Sequence, residues 1–498
     1  MGEIRFKNKT FALIDASDVG KKYSFSCIIA DIKQTSGPTI FELSDGTAVF
    51  KATGFVKPGA RAFPELEKED CIKTDISIKE RHGILEGEIE SYIKLGEKDC
   101  KKLKDKIQQK KEDKSKTKQS EFIIDSPVLE KLKPKIIAAS DMIRKAIFEN
   151  RQIIVRHHDD CDGYASAVAL DRAIRPMIEN QHRSQYYKYY RRYASRSPYY
   201  DYIDCIKDIS TSKNPLLILC DLGDADENLM SVKKAGMYGA NIVLIDHHSL
   251  ANDELEKLVD IIINPYLVGY DNNFVSGMLC AELARFINID VKEIDYLPAL
   301  AGTGDKSEGP EYEKYLGISG KSKEYLEKWA LCIDFETSYL RYFEAEEIVD
   351  DLFSISDKQE KLIGLLYPEI KKRIDETIAT VNKYKKVEQK GVKLIWVHCD
   401  EIDARGEFPN PSKIVSITHQ TESGPRITTG YMRDLLIFRA DMVRFDVNTL
   451  VAYLQKKYPY AQVKGGGHEY AGAIKYVAAA SKEIFAEVKS YLAKVTKS

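Results

Sequence analysis

The period of hydrophobic and polar positions changes along the chain, and each change predicts a different kind of element. Up to residue 96, short apolar-polar alternations are separated by turns, as in KYSFSCIIADIKQ, PTIFELSDG, TAVFKATGF, DCIKTDISIKE and EGEIESYIKL. Five β-prone runs at this spacing predict a small closed barrel of the OB type. We therefore place an OB-like β-barrel domain at residues 1–96.

Residues 97–127 interrupt the alternation and are rich in lysine. The stretch KKLKDKIQQKKEDKSKTK, from Lys101 to Lys118, contains nine lysines and three acidic residues. Such a charge bias predicts a solvated linker or a frayed helix, and it leaves open an arm that contacts phosphates.

From residue 128 to residue 309 the pattern becomes that of an α/β domain. A helical stretch at 128–149 is followed by the apolar runs QIIV, PLLILC and NIVLI, and each run precedes a helical pattern. Strands that alternate with helices at this spacing predict a parallel sheet with helices on its faces.

The remainder of the chain predicts a helical insertion and a second, smaller α/β domain. Residues 310–387 are helical and charged, and residues 388–498 begin with the strand VKLIWV and end with the helix KEIFAEVKSYLAKV. Near the end of the insertion an apolar stripe recurs at helical spacing, and it either packs on its own chain or bundles with other copies. The stripe consists of Ile370, Ile374, Ile378 and Val381.

Composition adds little about partners and more about the compartment. The 498 residues include 75 Lys and Arg against 77 Asp and Glu, so a polyanion must be bound by local patches. The nine cysteines are scattered and form no CxxC, which favours a reducing compartment and argues against a disulfide framework or a thiolate zinc site. No apolar run approaches the roughly 20 residues of a membrane span, and no signal-peptide pattern occurs. We expect a cytoplasmic protein.

Four acid-bearing motifs follow apolar runs. HHDDCDG follows QIIV, Asp221 follows PLLILC, the triplet Asp246-His247-His248 follows NIVLI, and Asp305 follows LPALAGTG. Taken singly, each is most simply a turn or a helix cap. Because sites form at the carboxyl ends of parallel strands, all four are expected to converge on one edge of the sheet. Imidazole and carboxylate without thiolate suit two divalent metal ions, Mn²⁺ first, with Mg²⁺ or Co²⁺ as alternatives.

Five motifs in this order carry a family resemblance. HHDDCDGYASA, CDLGD, IDHHS, GTGDKSEG and GGGHEYAGA resemble the DHH phosphoesterase superfamily with its DHHA1 partner domain, over residues 152–305 and 392–476. Within it, the chain is most similar to the archaeal RecJ-like nucleases of the Hef-associated type. The resemblance implies an α/β fold with a parallel-sheet DHH catalytic domain, a smaller α/β DHHA1 substrate-binding domain, and oligomerisation through the helical insertion, as a homotrimer.

The resemblance also implies two metal sites that share one aspartate. The first metal would be held by His158, Asp160 and Asp221, and the second by Asp162, Asp221, His247 and Asp305. In this scheme Asp246 orients its neighbours and His248 faces the scissile phosphate. His157 and Asp159 receive no role, and Cys161 is a small filler. The implied catalytic set is therefore Asp160, Asp162, Asp221, Asp246, His247, His248 and Asp305.

Substrate contacts are also implied in the DHHA1 part. The arginine of LIFRAD and the motif GGGH match positions that DHHA1 domains use on nucleotide phosphate, although a glycine triplet alone is more often a plain loop. Together with His248, the implied substrate-binding residues are Arg439, Gly465, Gly466, Gly467 and His468.

Aromatic side chains offer base-stacking positions at two places. In the barrel they are Tyr23, Phe25, Phe41, Phe50 and Phe55. A second group lies at 185–202, where QYYKYYRRYASRSPYYDY interleaves eight tyrosines with four basic residues. Basic side chains interleaved with aromatic ones suit a single strand. The alternative is core packing of both groups.

The function that these observations favour is a manganese-dependent exonuclease on single-stranded DNA, and also RNA, that releases mononucleotides. Relatives of the Hef-associated type act 3′→5′, and the implied partner is the repair helicase Hef. One alternative is a phosphodiesterase for oligoribonucleotides or cyclic dinucleotides. Another is a non-catalytic replisome scaffold, which should have lost metal ligands, whereas this chain keeps every one.

Overall fold

Three cores follow one another along the chain. The computed structural model describes residues 9–81, 83–118, 121–195, 197–223, 226–249, 253–340, 346–402, 407–468 and 470–495. Among these, no helix is both long enough and apolar enough to cross a bilayer. The predicted α/β class with an N-terminal barrel is confirmed.

The first five strands close into a barrel in the order β1-β2-β3-β5-β4. Because successive side chains of a strand face opposite sides, alternate residues such as Phe25, Phe41 and Phe50 fill the interior. This is the OB-like barrel that the alternation predicts. Its strands are β1 (Lys22–Gln34), β2 (Thr39–Ser44), β3 (Val49–Gly54), β4 (Cys71–Arg81) and β5 (Ile84–Lys94).

Four of the five barrel aromatics considered for base stacking belong to this core instead. Tyr23, Phe25, Phe41 and Phe50 are at most 7% exposed, whereas Phe55 is 56% exposed. Stacking on the barrel is therefore limited to Phe55 within the set that the sequence suggested.

The lysine-rich segment is a packed helix rather than a solvated linker. Helix α1 (Glu97–Ser115) buries Ile107 against the barrel. Lys114 Nζ donates to the Thr47 carbonyl over 2.9 Å. A single buried isoleucine among many lysines gives little hydrophobic periodicity. The sequence pattern therefore did not predict this packing.

A disulfide joins α1 to the barrel, contrary to the expectation of reduced, unpaired thiols. Cys71 at the start of β4 and Cys100 in the first turn of α1 have Cα atoms 5.3 Å apart. Their separation of 29 residues carries no pairing signal, because the packing of α1 on the barrel alone brings them together. The seven remaining cysteines are free and buried.

The central domain is a five-stranded parallel sheet in the order β10-β9-β8-β6-β7. Apolar side chains cover both of its faces. All strands run the same way, so their carboxyl ends share one edge. The elements are α2 (Pro127–Phe148), β6 (Ile153–His158), α3 (Cys161–His182), β7 (Tyr190–Ser195), α4 (Tyr202–Thr211), β8 (Leu216–Cys220), α5 (Asp226–Met237), β9 (Asn241–Ile245), α6 (Asp253–Leu258), β10 (Ile261–Ile263), α7 (Ser276–Ile287) and α8 (Leu297–Gly304).

The tyrosine-rich segment contributes mainly to packing. Tyr190 and Tyr200 are at most 4% exposed, Tyr193 packs on the core, and the Arg156 guanidinium lies 4.9 Å from the Tyr193 ring centroid. Of the described tyrosines in this stretch, Tyr187 is the most exposed, at 55%. Most of these tyrosines therefore pack on neighbouring elements, which is the alternative to base stacking that the sequence left open.

The described residues of the insertion form four helices, and the last of them joins two cores. The helices are α9 (Pro310–Ser319), α10 (Lys323–Leu340), α11 (Glu346–Phe353) and α12 (Asp357–Tyr384). Within the apolar stripe, Ile370 is buried in the core of the central domain and Val381 in that of the C-terminal domain. The chain thus covers these two positions by itself, and the stripe supplies no argument for a trimer.

The C-terminal domain is a six-stranded mixed sheet in the order β11-β12-β13-β14-β16-β15. Its core lies between the sheet and two helices, α15 and α16. The elements are β11 (Lys386–Lys390), β12 (Val392–His398), α13 (Cys399–Ile402), α14 (Pro411–Gln420), β13 (Arg426–Tyr431), β14 (Leu435–Asp441), α15 (Val447–Lys457), β15 (Lys464–His468), β16 (Ala471–Lys475) and α16 (Ser481–Val495).

Candidate metal centre

The turn from β6 into α3 places three polar side chains at the edge of the sheet. Strand β6 ends at His158, and α3 starts at Cys161, so Asp160 and Asp162 flank the first residue of the helix. Asp160 Oδ1 accepts a hydrogen bond from Gly163 N at 3.0 Å. A Cβ at Gly163 would lie 2.3 Å from the His158 carbonyl oxygen, which makes glycine a requirement of this tight turn.

His158, Asp160 and Asp221 form the first group of potential metal ligands. His158 Nδ1 lies 2.6 Å from Asp160 Oδ2 and 3.4 Å from Asp221 Oδ2. This is the trio that the family resemblance implies for the first metal.

Asp162, His247 and Asp305 form the second group. His247 Nε2 lies 3.9 Å from Asp162 Oδ2, 3.4 Å from Asp221 Oδ1 and 3.3 Å from Asp305 Oδ2. The two oxygens of Asp221 therefore face different groups, which is the geometry of a bridging ligand.

The local structure around Asp305 differs from the expectation. LPALAGTG is the helix α8 rather than a strand, and Asp305 caps its C-terminus. An apolar run of eight residues is compatible with either element, and only packing against α3 and α7 decides it. The carboxylate still reaches the centre, but from a helix end.

Asp221 tests whether the site suits metal ions. Its backbone has a φ of 57°, a left-handed conformation that Asp tolerates better than most residues, and its N–H donates to the Ile245 carbonyl at 3.0 Å. The residue is 2% exposed, and no described residue donates a hydrogen bond to Oδ1. A buried carboxylate oxygen in that position is costly unless a cation lies beside it. With imidazole and carboxylate as donors, the residues fit a pair of divalent metal ions.

The titration of the cluster reflects its crowding. Burial, and then the charges of Asp221 and Asp305, raise the pKa of the Asp162 carboxyl well above its usual value. Burial opposes ionisation of Asp160 too, but the adjacent His158 outweighs it and lowers that pKa. Burial likewise lowers the pKa of His247, but the carboxylates of Asp221 and Asp305 raise it well above its usual value. The carboxylates of this edge therefore demand positive charge.

Asp246 holds the next histidine in place. Its Oδ1 lies 2.8 Å from His248 Nδ1, and its Oδ2 accepts from His248 N at 3.1 Å. These two contacts fix the orientation of the His248 ring against Asp246. Burial works against it, but the charge of His248 lowers the pKa of the Asp246 carboxyl, which stays ionised.

Helix α7 supplies contacts that the sequence analysis missed. Asp162 Oδ2 accepts from Ser276 N at 3.1 Å and Oδ1 from Gly277 N at 2.7 Å, so the carboxylate caps the N-terminus of this helix. A Cβ at Gly277 would lie 2.9 Å from Asp162 Oδ1 and 2.5 Å from Ala301 Cβ. The dipeptide Ser276-Gly277 before an apolar helical run was the available signal.

His157 and Cys161, which the sequence analysis did not assign to the metals, are packed inside the protein. His157 is buried against Tyr164, with ring centroids 4.5 Å apart, and burial followed by the charge of Arg192 lowers its pKa to about 3. Cys161 is 1% exposed, and burial raises the pKa of its thiol well above the usual value. Neither residue fits a metal ligand or a nucleophile.

Arg439 of β14 lies near Lys306, the residue that follows Asp305. Its guanidinium donates to the hydroxyls of Ser416 at 3.2 Å and Ser412 at 3.0 Å, and to the Phe438 carbonyl at 2.8 Å. Among the described residues no carboxylate pairs with it. The charge therefore stays available to an anion.

The glycines of GGGH form part of strand β15 rather than a loop. A Cβ at Gly465 would lie 2.1 Å from the Ala473 carbonyl oxygen, and one at Gly467 would lie 2.1 Å from that of Ala471, so close pairing with β16 requires glycine. Gly466 has Asn448 Oδ1 2.7 Å from its ideal Cβ position. The His468 backbone pairs with Ala471, while its side chain lies outside the described residues.

Two lysines near the centre were also missed. Lys306 directly follows Asp305 and has a φ of 58°. Lys413, in the first turn of α14, reaches Asp334 of α10 with 3.0 Å between Nζ and Oδ2. Burial, and then the charges of Lys413 and Arg439, lower the pKa of Lys306, so the three cations lie near one another beside Asp305. The position of Lys306 next to a candidate ligand was the available signal.

Comparison with known proteins gives the following similarities. Residues 152–296 match the model of the DHH family, N-terminal domain. The chain is 34% identical to an uncharacterized protein of Methanocaldococcus jannaschii, over 90% of this chain and 66% of the relative, so it spans just under two thirds of that protein's length.

Two solved structures extend the comparison. One is a DHH domain described as belonging to a member of a family of ribosomal proteins, with 33% identity, a TM-score of 0.75, and coverage of 80% of this chain and 99% of that one. The other is RecJ from Thermus thermophilus in complex with Mn²⁺, with 14% identity and a TM-score of 0.53 over 72% of this chain and 55% of that one. At this identity the second comparison shows the fold alone.

Proposed function

The chain belongs to the DHH family of phosphoesterases, and from that premise we propose that it is a metal-dependent exonuclease on single-stranded DNA, and also on RNA. It removes mononucleotides, in the 3′→5′ direction. The metal is Mn²⁺, with Mg²⁺ or Co²⁺ as substitutes.

One observation carries this proposal, namely that Asp221 lies between the two groups of potential ligands. His158 and Asp160 approach Oδ2, whereas His247, itself beside Asp162 and Asp305, approaches Oδ1. Two divalent ions held by these residues would supply an activated water and neutralise charge on the phosphate.

The protein side chains around the centre then orient the phosphodiester. Asp246 fixes the direction of His248, whose ring is the proposed contact to a non-bridging phosphate oxygen. Arg439, held by two serine hydroxyls, is the proposed contact to the terminal phosphate. The strand that contains Gly465, Gly466, Gly467 and His468 is the proposed edge for the terminal nucleotide.

We also propose partners and a setting on the resemblance alone. These are the repair helicase Hef, a homotrimer as the working assembly, and a role in DNA repair or replication-fork processing. The Mn²⁺ complex of a RecJ of similar fold supports the choice of metal.

Digestion of a labelled single strand tests the proposal. The substrate is an oligonucleotide of about 20 residues, labelled at its 5′ or its 3′ end and incubated with Mn²⁺. A 3′→5′ exonuclease releases the 3′ label at once as a mononucleotide and shortens the 5′-labelled strand step by step. Immediate release of the 5′ label instead contradicts the direction.

The same experiment separates the other candidates. A cyclic dinucleotide and a short oligoribonucleotide are incubated in parallel, and faster hydrolysis of either one identifies a phosphodiesterase of the DHH type with a small substrate. Strand binding without hydrolysis of any substrate identifies a scaffold.

A further inference from the structure

A cavity of about 170 Å³ lies between the barrel and helix α1, away from the metal centre. Its walls are the outer faces of β1 and β4 and one face of α1. A single water needs roughly 10–15 Å³ by this measure, so the cavity has room for a group much larger than water.

The charge around this cavity is positive. Four of its lining residues are lysines, and one is a carboxylate, Asp45. Asp45 is turned toward the backbone, where it accepts from Phe11 N at 3.1 Å and from Thr47 N at 2.8 Å. Its charge is therefore already engaged inside the barrel and does not pair with the ammonium groups of the cavity.

Two of the four lysines are available to a ligand. Lys9 forms an ion pair with Asp18, and Lys110 Nζ donates to the Asp45 carbonyl at 3.3 Å. Lys73 on β4 and Lys106 on α1 are exposed, and within the described part of the chain their ammonium groups make no hydrogen bond or ion pair. Like charges gathered without a counter-charge favour an anion between them.

Strand β1 adds hydroxyl donors to the same wall. Ser24 and Ser26 alternate along β1 and share its outer face, and Ser26 lies opposite Lys73 in the strand register. Neither hydroxyl bonds to another described residue. Ammonium and hydroxyl donors around a space of this size are the groups that contact phosphate oxygens in nucleic-acid complexes.

We propose that this cavity binds a backbone phosphate of a single-stranded nucleic acid, with Lys73 and Lys106 as the principal contacts and Ser24 and Ser26 as hydroxyl donors. The inference rests on the proposed function, because the strand held here is the proposed substrate. OB folds usually bind their ligands on the face of strands 2 and 3. Here the site lies on the β1–β4 side, under a helix that the disulfide fastens to the barrel.

Fluorescence anisotropy with the full-length protein tests the site. The probe is a labelled oligothymidylate of about 20 nucleotides, and EDTA prevents hydrolysis. The test variant is Lys73→Glu with Lys106→Glu. The matched control is Lys98→Glu with Lys101→Glu, which makes the same charge change on α1 outside the cavity lining.

The test pair should raise Kd at least about tenfold and reduce the slope of log K against log salt by about 1.4, since each lost contact removes about 0.7 on a single strand. The control pair should change Kd less than about threefold and leave the slope unchanged. An equal loss in both pairs, or an unchanged slope in the test pair, overturns the proposal. The neutral pair Lys73→Gln with Lys106→Gln should also raise Kd and reduce the slope. It replaces the test pair if the charge-reversed protein does not fold.

Hydrolysis of a thymidine dinucleotide with Mn²⁺ separates this inference from the proposed function. The cavity lining contains none of the candidate metal ligands, so the test pair should hydrolyse a dinucleotide at the wild-type rate. No hydrolysis by the wild-type protein refutes the proposed function, whereas a test pair that binds the long strand normally refutes only the phosphate site.

Discussion

Asp305 is the residue at which the metal assignment is tested most cleanly. Its side chain is 29% exposed, at the end of α8, and it points into the centre without being packed in a core. Asp305→Ala should therefore reduce dinucleotide hydrolysis by at least about 100-fold, while the free energy of unfolding changes by less than about 0.5 kcal/mol. Rates in Mn²⁺ and urea unfolding in EDTA measure the two quantities. The control is Glu308→Ala on the same loop, and retention of more than a tenth of the activity by Asp305→Ala would rule out a ligand role.

Gly277 links packing to the metal centre. Gly277→Ala adds a Cβ that meets Ala301 and the Asp162 carboxylate, so it should lower stability by about 1–3 kcal/mol and displace a ligand. We expect hydrolysis to fall at least about tenfold. Gly236→Ala in α5 is the control, because its new Cβ meets nothing within 4 Å, and it should stabilise the protein by about 0.5–1 kcal/mol. Equal behaviour of the two variants would show that Gly277 is not constrained.

At the scale of elements, α7 carries a buried acid that makes stability depend on pH. Glu282 is fully buried and accepts from Ile123 N and Tyr315 Oη, each at 2.7 Å, and burial raises its pKa to about 7. The pKa of this carboxyl is higher in the folded state than in the unfolded state, so the folded state favours the protonated form. The resulting stability is fully present below about pH 4.5 and is lost as pH rises to about 7. Relative to Glu282→Gln, the wild type should lose about 2–3 kcal/mol between pH 5 and pH 8. Urea unfolding of both proteins without metal measures it, and a constant difference contradicts the burial effect.

Helix α12 gives a second test at this scale. Ile370 and Val381 are at most 1% exposed, whereas Ile378 of the same stripe is only half-buried. Ile370→Ala should cost about 2–5 kcal/mol and Ile378→Ala less than about 1 kcal/mol. Chemical unfolding gives both values, and light scattering shows whether the mass changes. A drop in mass for Ile378→Ala with little loss of stability would show that the stripe forms a subunit interface.

At the scale of the whole molecule, the barrel should act on long substrates only. Removal of residues 1–118 deletes the barrel together with α1, which packs on it, and leaves the central and C-terminal domains. We expect binding of a strand of about 20 nucleotides to weaken at least tenfold, since an OB fold covers on the order of 4–16 nucleotides, and dinucleotide hydrolysis to change less than about threefold. Circular dichroism confirms folding of the truncated chain. Equal losses on both substrates would assign the barrel a structural role.

The sequence was most informative where a signal is local. The alternation of the barrel strands and the runs QIIV, PLLILC and NIVLI identify strands within a few residues, because side-chain period depends on neighbours in the chain. The motifs also bring together the ligand groups that the structure shows. What the sequence could not give depends on contacts between distant segments. The helix before Asp305 and the capping of α7 by Asp162 depend on contacts between residues more than one hundred positions apart.

Helix α12 also determines how far this molecule can be divided. At 28 residues it extends about 42 Å, and it contributes Ile370 to one core and Val381 to another. A cut before α12 removes a wall from the central domain, and a cut after it exposes the cluster around Ile395, Val397 and Ile414. The C-terminal domain therefore cannot be exchanged on its own. A chimera that takes this domain from a relative must take α12 from the same relative.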